Sequence, residues 1–162
     1  MLQKCCEYSS FAENYSIMGI ADLLLQRKKE KGERTLKEGL AFLEQNGRRP
    51  EVQVMPSGLQ YEVLFLAESD RKPAADSRVT CHYEGTLING KVFDSSKKRG
   101  VPATFPLDKV IAGWTEGLQH MPLGSTFRFY IPAHLAYGDR QVGSDIAPNS
   151  TLVFEVELLA IQ

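Results

Sequence analysis

The chain has 162 residues, 43% of them apolar, and its 19 basic and 20 acidic side chains give a formal net charge of -1. That length and apolar content suit one packed domain with an appendage and exclude a disordered polymer. The near-balance of charge supplies no overall attraction to nucleic acid or to an anionic membrane.

Local features agree with those exclusions. The basic runs Arg27 to Lys31 and Lys97-Lys98-Arg99 are short and lack the interleaved aromatics of a base-stacking platform, so both read as solvated surface. The three cysteines form no disulfide framework: Cys5 and Cys6 are adjacent, and Cys81 sits in a strand pattern as a small buried hydrophobe. No apolar run approaches the ~20 residues that span a bilayer. Read from Met1, the N-terminus lacks a basic stretch followed by an apolar run and a cleavage site, so the expectation is a cytoplasmic chain, or a periplasmic one if translation starts upstream.

In chain order, Phe11, Tyr15, Met18, Ala21 and Leu25 recur at helical steps and predict a helix with one apolar face. Gly32 is expected to stop or kink it. Thr35-Leu36-Lys37-Glu38 has the capping-box pattern, Leu36, Leu40 and Leu43 follow at helical spacing, and Asn46-Gly47 supplies a stop. Two helices, or one kinked helix, are therefore expected before residue 50, with an apolar face that needs either the main domain or a second copy of the chain. The expected division is a helical segment over 1–50 and a main domain over 51–162.

From Val52 the period changes to two. Leu59, Tyr61, Val63 and Phe65 alternate with Gln60 and Glu62, and Val79, Cys81 and Tyr83 with Thr80 and His82. Asn89-Gly90, between Leu87-Ile88 and Lys91-Val92-Phe93, signals a hairpin. Phe127, Phe129 and Ile131 mark another strand, and Leu152, Phe154, Val156 and Leu158 the last, with Glu155 and Glu157 on its other face. One dry and one wet face indicate an antiparallel sheet. Between these strands lies Val110-Ile111-Ala112-Gly113-Trp114-Thr115-Glu116-Gly117-Leu118, which holds the only tryptophan. A two-turn helix here would point Val110, Ile111, Trp114 and Leu118 one way and cover the dry face. The predicted fold is thus α+β, a bent antiparallel sheet around one short helix.

This arrangement gathers Tyr83, Phe93, Phe154, Val110, Ile111 and Trp114, and such a set makes a ligand hollow as readily as a core. Catalytic pairs are scarce. His82, His120 and His134 are scattered without metal-ligand spacing, Cys81 and His82 point to opposite strand faces, and Gly113 to Gly117 lacks the lysine and glycine spacing of a phosphate loop. No metal or cofactor is expected, and most hydrolytic chemistry is disfavoured.

Five blocks in order, Val79-Thr80-Cys81-His82-Tyr83-Glu84-Gly85, Gly90-Lys91-Val92-Phe93-Asp94-Ser95-Ser96, Val110-Ile111-Ala112-Gly113-Trp114, Ala136-Tyr137-Gly138 and Leu152 to Leu159, resemble the FK506-binding (FKBP-type) peptidyl-prolyl cis-trans isomerases. Met55-Pro56-Ser57-Gly58-Leu59-Gln60-Tyr61, preceded by Gly39 to Glu44, is similar to the bacterial macrophage-infectivity-potentiator branch, whose members carry an N-terminal helical dimerisation segment. The resemblance implies a five- or six-stranded bent sheet around a short helix. It also implies a proline pocket made of Tyr83, Phe93, Asp94, Phe105, Val110, Ile111, Trp114, Tyr137, Ile146 and Phe154. Trp114 would be its floor, Tyr137 would hydrogen-bond a substrate or inhibitor carbonyl, and Asp94 would stand at the rim beside Tyr83.

The implied partners are proline-containing polypeptides, macrolides of the FK506 class, and a second copy of the chain through the N-terminal helices. Ala103 departs from many single-domain members, which have a second phenylalanine there, so one wall is expected to be less aromatic. Two rivals keep the fold: a non-catalytic module or chaperone that captures proline-containing segments, and an assembly scaffold working through residues 1–50.

Overall fold

The computed structural model describes residues 19–162. A long helix, α1 (Ile20–Asn46), leads into the strands β1 (Val52–Val54), β2 (Gln60–Phe65), β3 (Arg78–Leu87) and β4 (Val92–Ser95). A one-turn helix, α2 (Ser96–Arg99), then β5 (Ala103–Pro106), α3 (Ala112–Leu118), β6 (Thr126–Ile131) and β7 (Leu152–Ile161) complete the order. The sheet runs β1-β2-β6-β7-β3-β4, with β5 also paired to β3, and every pairing is antiparallel. There are therefore seven strands rather than five or six. The additions are the short β1 and β5, the latter bonded to the first half of β3 while β4 takes the second half.

The alternation expected from the sequence governs the inner face. Val79, Cys81 and Tyr83 of β3, Phe127, Phe129 and Ile131 of β6, and Leu152, Phe154, Val156 and Leu158 of β7 are all buried in one core with Trp114 and Leu118. Each such side chain contributes about 1.5–3 kcal/mol on leaving water. Burial also pushes the Cys81 thiol up to about 12, so it behaves as a hydrophobe. The short helix approaches the sheet through two glycines one turn apart: a Cβ on Gly113 would lie 2.5 Å from Ile131, and one on Gly117 would lie 2.6 Å from Phe129. The hairpin at Asn89-Gly90 is a three-residue connection in which only Gly90 is left-handed (φ 85°), its N–H bonding Leu87 O at 2.9 Å.

The N-terminal region differs from expectation. Phe11, Tyr15 and Met18 lie outside the described residues. From Ile20 a single helix continues through Gly32 without a stop, because Gly32 is buried against Pro148 and Asn149, and close packing offsets the ~1 kcal/mol that glycine costs inside a helix. Thr35 is not a cap; its hydroxyl donates to Lys31 O at 2.8 Å inside the helix. Of the expected apolar face only Leu43 is buried, while Leu36 and Leu40 are exposed. The buried stripe is Gly32, Gly39, Leu43 and Asn46. Its end, with Phe42, packs on Tyr130, Val52 and Val153, so the outer face of the sheet is not uniformly wet.

Candidate proline-binding hollow

The trio of Val110, Ile111 and Trp114 is divided by the backbone. Ile111 is extended (φ -59°, ψ 148°) and caps α3, so Val110 and Ile111 enter the helix instead of sharing its face. The two-turn helix read from spacing is present over Ala112–Leu118 with Trp114 and Leu118 buried, but Val110 and Ile111 precede it, which sets these aliphatics beside the indole. Trp114 is 5% exposed and meets three rings nearly edge to face: Tyr83 at 5.4 Å, Phe105 at 5.6 Å and Phe154 at 5.4 Å between centroids. These are the separations and tilts at which aromatic quadrupoles attract. Phe93 stands edge to face against Phe154 at 5.5 Å. Gly85 of β3 makes room for that pair, since a Cβ there would lie 2.6 Å from Phe93 and 2.7 Å from Phe154.

The rings enclose an open hollow of about 320 Å³ lined by Tyr83, Phe93, Asp94, Phe105, Lys109, Val110, Ile111, Trp114, Tyr137 and Phe154. Nine of the residues implied by the resemblance are thus brought together. Ile146 does not line this hollow; it is buried in the same core cluster as Trp114 and Phe154 and bridges Val142 in the loop after Tyr137. Ala103 also lies off the lining; it pairs with Cys81 on β5, and Phe105, two residues on, supplies the wall. Tyr137, 37% exposed, stands at the mouth.

One side of the hollow is polar and cross-braced. The Tyr83 hydroxyl donates to Asp94 Oδ2 at 2.5 Å, and Arg99 donates to both, to Asp94 through Nη1 and to the Tyr83 oxygen through Nη2 at 3.0 Å. Burial opposes ionisation of Asp94, but the Tyr83 hydroxyl and the Arg99 guanidinium outweigh it and hold the carboxyl below its ordinary value. Burial, reinforced by the Asp94 carboxylate, raises the Tyr83 phenol. Tyr83 is fixed from behind as well: its backbone N–H donates at 2.8 Å to the Oγ of Ser96, which is fully buried. At the floor, the buried indole Nε1 of Trp114 has no hydrogen-bond partner among the described residues, an exception to the usual pairing of buried donors.

Two residues escaped the sequence reading. Arg99 belongs to the run taken as solvated surface; Lys97 of that run does pair outward, with Glu155 at 2.7 Å, but Arg99 turns to Asp94. Asp94 lies five residues upstream, but that spacing alone does not separate Arg99 from its two cationic neighbours; the one-turn helix α2, ended by the left-handed Gly100, does so. Lys109 joins the lining from the turn before α3, and nothing in its sequence context marks it. Among the described residues no group of three or more His, Cys, Asp or Glu is placed to hold a metal ion.

Comparison with known proteins fits this geometry. The profile of the FKBP-type peptidyl-prolyl cis-trans isomerase domain matches residues 69–159, and that of the domain amino terminal to it matches residues 7–63. The chain is 48% identical over 144 residues to the outer membrane protein MIP of Legionella longbeachae, covering 87% of this chain and 61% of that protein. It is 52% identical over 126 residues to the FKBP-type isomerase FkpA of Aeromonas hydrophila, covering 78% and 46%. The chain therefore spans about half to three fifths of the curated relatives it matches. The crystal structure of FkpA from Escherichia coli superposes with a TM-score of 0.81 at 38% identity, over 85% of this chain and 64% of that one. A bent sheet closed on a tryptophan-bearing helix, an aromatic hollow between them and matches that run through both segments place this chain in the FKBP-type peptidyl-prolyl cis-trans isomerase family.

Proposed function

We propose that the chain accelerates cis-trans rotation of X-Pro bonds in polypeptides, with the proline ring seated on Trp114. The observation that carries this reading is the box of Tyr83, Phe105 and Phe154 around one buried indole, open on one side to solvent. A prolyl amide turns slowly because resonance must be broken, with a barrier of ~18–20 kcal/mol, although its isomers differ by only ~0.5–1 kcal/mol. No bond is made or cleaved, so the reaction needs neither nucleophile nor metal. In the twisted state the carbonyl loses polarity, and an apolar wall favours that state over the planar, more dipolar amide; each ~1.4 kcal/mol of preference is tenfold in rate. Asp94 and Arg99 have their charges spent on each other and on Tyr83, which keeps the wall rigid.

The test is the cis-to-trans rate of a Leu-Pro peptide with the intact chain, beside folded Trp114→Ala and Phe154→Leu. Acceleration by the wild type, reduced at least about tenfold in Trp114→Ala, supports the reading. A folded wild type that binds the peptide without accelerating it would transfer the assignment to a proline-segment binding module. FK506-class macrolides are the matching inhibitors, and they should compete with the peptide.

We also infer that α1 pairs with a second copy of the chain. Leu25, Leu36 and Leu40 are 68%, 39% and 56% exposed and share one side of α1, an apolar stripe that no described residue covers, while the exposed Ile20, Leu23 and Leu24 lie on the other side of its first turns. Light scattering on the full chain should give twice the chain mass, reduced to one chain by Leu36→Glu with Leu40→Glu; a wild-type monomer at high concentration would remove the inference.

A further inference from the structure

The loop that begins at Tyr137 is fastened at its far end to α1. Asn149 N–H donates to Gly138 O at 2.7 Å and so closes residues 138–149 next to Tyr137. Asn149 is the only non-glycine among the described residues with positive φ, at 60°, a left-handed conformation that asparagine tolerates better than most. Its side-chain Nδ2 reaches across to Gly32 O at 3.3 Å. Seven residues on, and so on the same face of α1, Gly39 lies against Thr151: a Cβ there would fall 2.4 Å from Thr151 Oγ1. A Cβ on Gly32 would fall 3.3 Å from Asn149 Nδ2 and 3.4 Å from Pro148. Two glycine notches therefore let the helix backbone sit directly on Pro148 to Thr151, although no residue of α1 lines the hollow.

We propose that α1 is a positioning element for the hollow, with Gly32, Gly39 and Asn149 acting through Gly138 on Tyr137. This rests on the isomerase reading for its kinetic consequence, while its effect on binding stands without it. The near root of the loop is held by the domain itself, through Gly138 N–H to Ala133 O at 2.8 Å. Its middle is held by Ile146, buried in the core and bridged to Val142, and the one ion pair on its outer part, Lys91 with Asp145 at 2.6 Å, is exposed and worth little in water. The far root is where α1 supplies the contact. Lifting the helix frees the Asn149 side chain, removes the support under a left-handed residue, and loosens the segment that places Tyr137 at the mouth.

The experiment uses the full chain and a Leu-Pro peptide, reading Kd by calorimetry and kcat and KM by turnover. Asn149→Gly keeps the left-handed backbone and deletes only the bond to Gly32, so folding is preserved. Kd and KM should rise about threefold with kcat unchanged, the loss expected for one hydrogen bond that acts on ground and transition states alike. Gly39→Val, which forces the helix off Thr151, should raise them further. The decisive arm repeats Asn149→Gly in a Tyr137→Phe background. If α1 acts through Tyr137, the second substitution adds nothing to the first. Additive effects, or an Asn149→Gly chain with wild-type Kd, overturn the proposal. A wild type that binds but does not turn over defeats the isomerase reading alone and leaves the Kd comparison intact.

Discussion

The two faces of the one sheet are held by different physics. On the inner face, Phe127, Phe129, Ile131, Leu152, Phe154, Val156 and Leu158 pack on a helix seven residues long, and the fit leaves no space at Gly113 or Gly117 for a methyl group. On the outer face the same strands present Glu62, Arg128 and Glu155 in one row across β2, β6 and β7. Arg49 and Lys97 extend the row at either end, through contacts of 3.2 Å to Glu62 and 2.7 Å to Glu155. Inner contacts are many, weak and dependent on shape, and together they fix where the aromatic wall stands. The contacts of this charged row are few, long-armed and partly solvated, and they hold Arg49 and α2 to the sheet with less stringency, whereas α1 itself is seated beside the row by the apolar packing of Leu43 and Phe42 on Tyr130, Val52 and Val153. The hollow opens where the two regimes meet: its floor belongs to the inner packing, and its polar rim, Asp94 with Arg99, to the charged exterior.

The contrast is broken most forcefully at Gly117. In a solvated helix, glycine to alanine is worth about 1 kcal/mol of added stability. Here Gly117→Ala should reverse the sign and lower stability by about 1–3 kcal/mol, because the new methyl meets Phe129. Urea unfolding of the variant beside wild type decides it; an unchanged or higher midpoint would mean that the short helix has slack to move away.

Asp94 comes next, at the meeting of the regimes. Its carboxyl is held below the ordinary value in the folded chain, so it adds stability that is present at neutral pH, above its unfolded pKa of about 4, and is lost as pH falls through the lower folded pKa. The difference in unfolding free energy between wild type and Asp94→Asn should therefore shrink between about pH 5 and pH 2. A difference that stays constant across that window would show that Asp94 is not held ionised by Tyr83 and Arg99. If its role is to order Tyr83, prolyl turnover should fall less in Asp94→Asn than in Trp114→Ala.

Glu155 should show the smallest effect. It pairs with Lys97 at 2.7 Å and Arg128 at 3.1 Å, with side chains about a third exposed. Glu155→Gln should cost no more than about 1 kcal/mol, and the cost should fade in high salt. A larger, salt-independent loss would mean that the outer row is as stringent as the core.

The same division explains what the residues alone disclosed. Period-two segments carry their burial in their own pattern, so the inner halves of β3, β6 and β7, and with them Tyr83 and Phe154, were readable directly. Trp114 was readable because a lone indole beside short helical spacing has few places to go. Features set by contact between distant segments were not. Gly32 looks like a stop until Asn149 and Pro148 are set against it. Ile146 has the composition of a wall residue and only its loop turns it into the core. Arg99 is one of three consecutive cations, and nothing local distinguishes it from Lys97, which pairs on the opposite face. The short β5 is a strand by virtue of β3 beside it, since Ala103-Thr104-Phe105-Pro106 is too brief to show a period.

Trp114 is the chain's only tryptophan, and it is buried at the bottom of the hollow. The molecule therefore has a built-in optical probe at the one place where its occupancy matters. Excited near 295 nm, all of its indole emission originates from that floor, so peptide entry, macrolide entry and solvent entry on unfolding each register on the same fluorophore without a label. An emission maximum that shifts to longer wavelength on unfolding, and changes in intensity on ligand addition, lets one titration in one cuvette separate a filled hollow from a lost one.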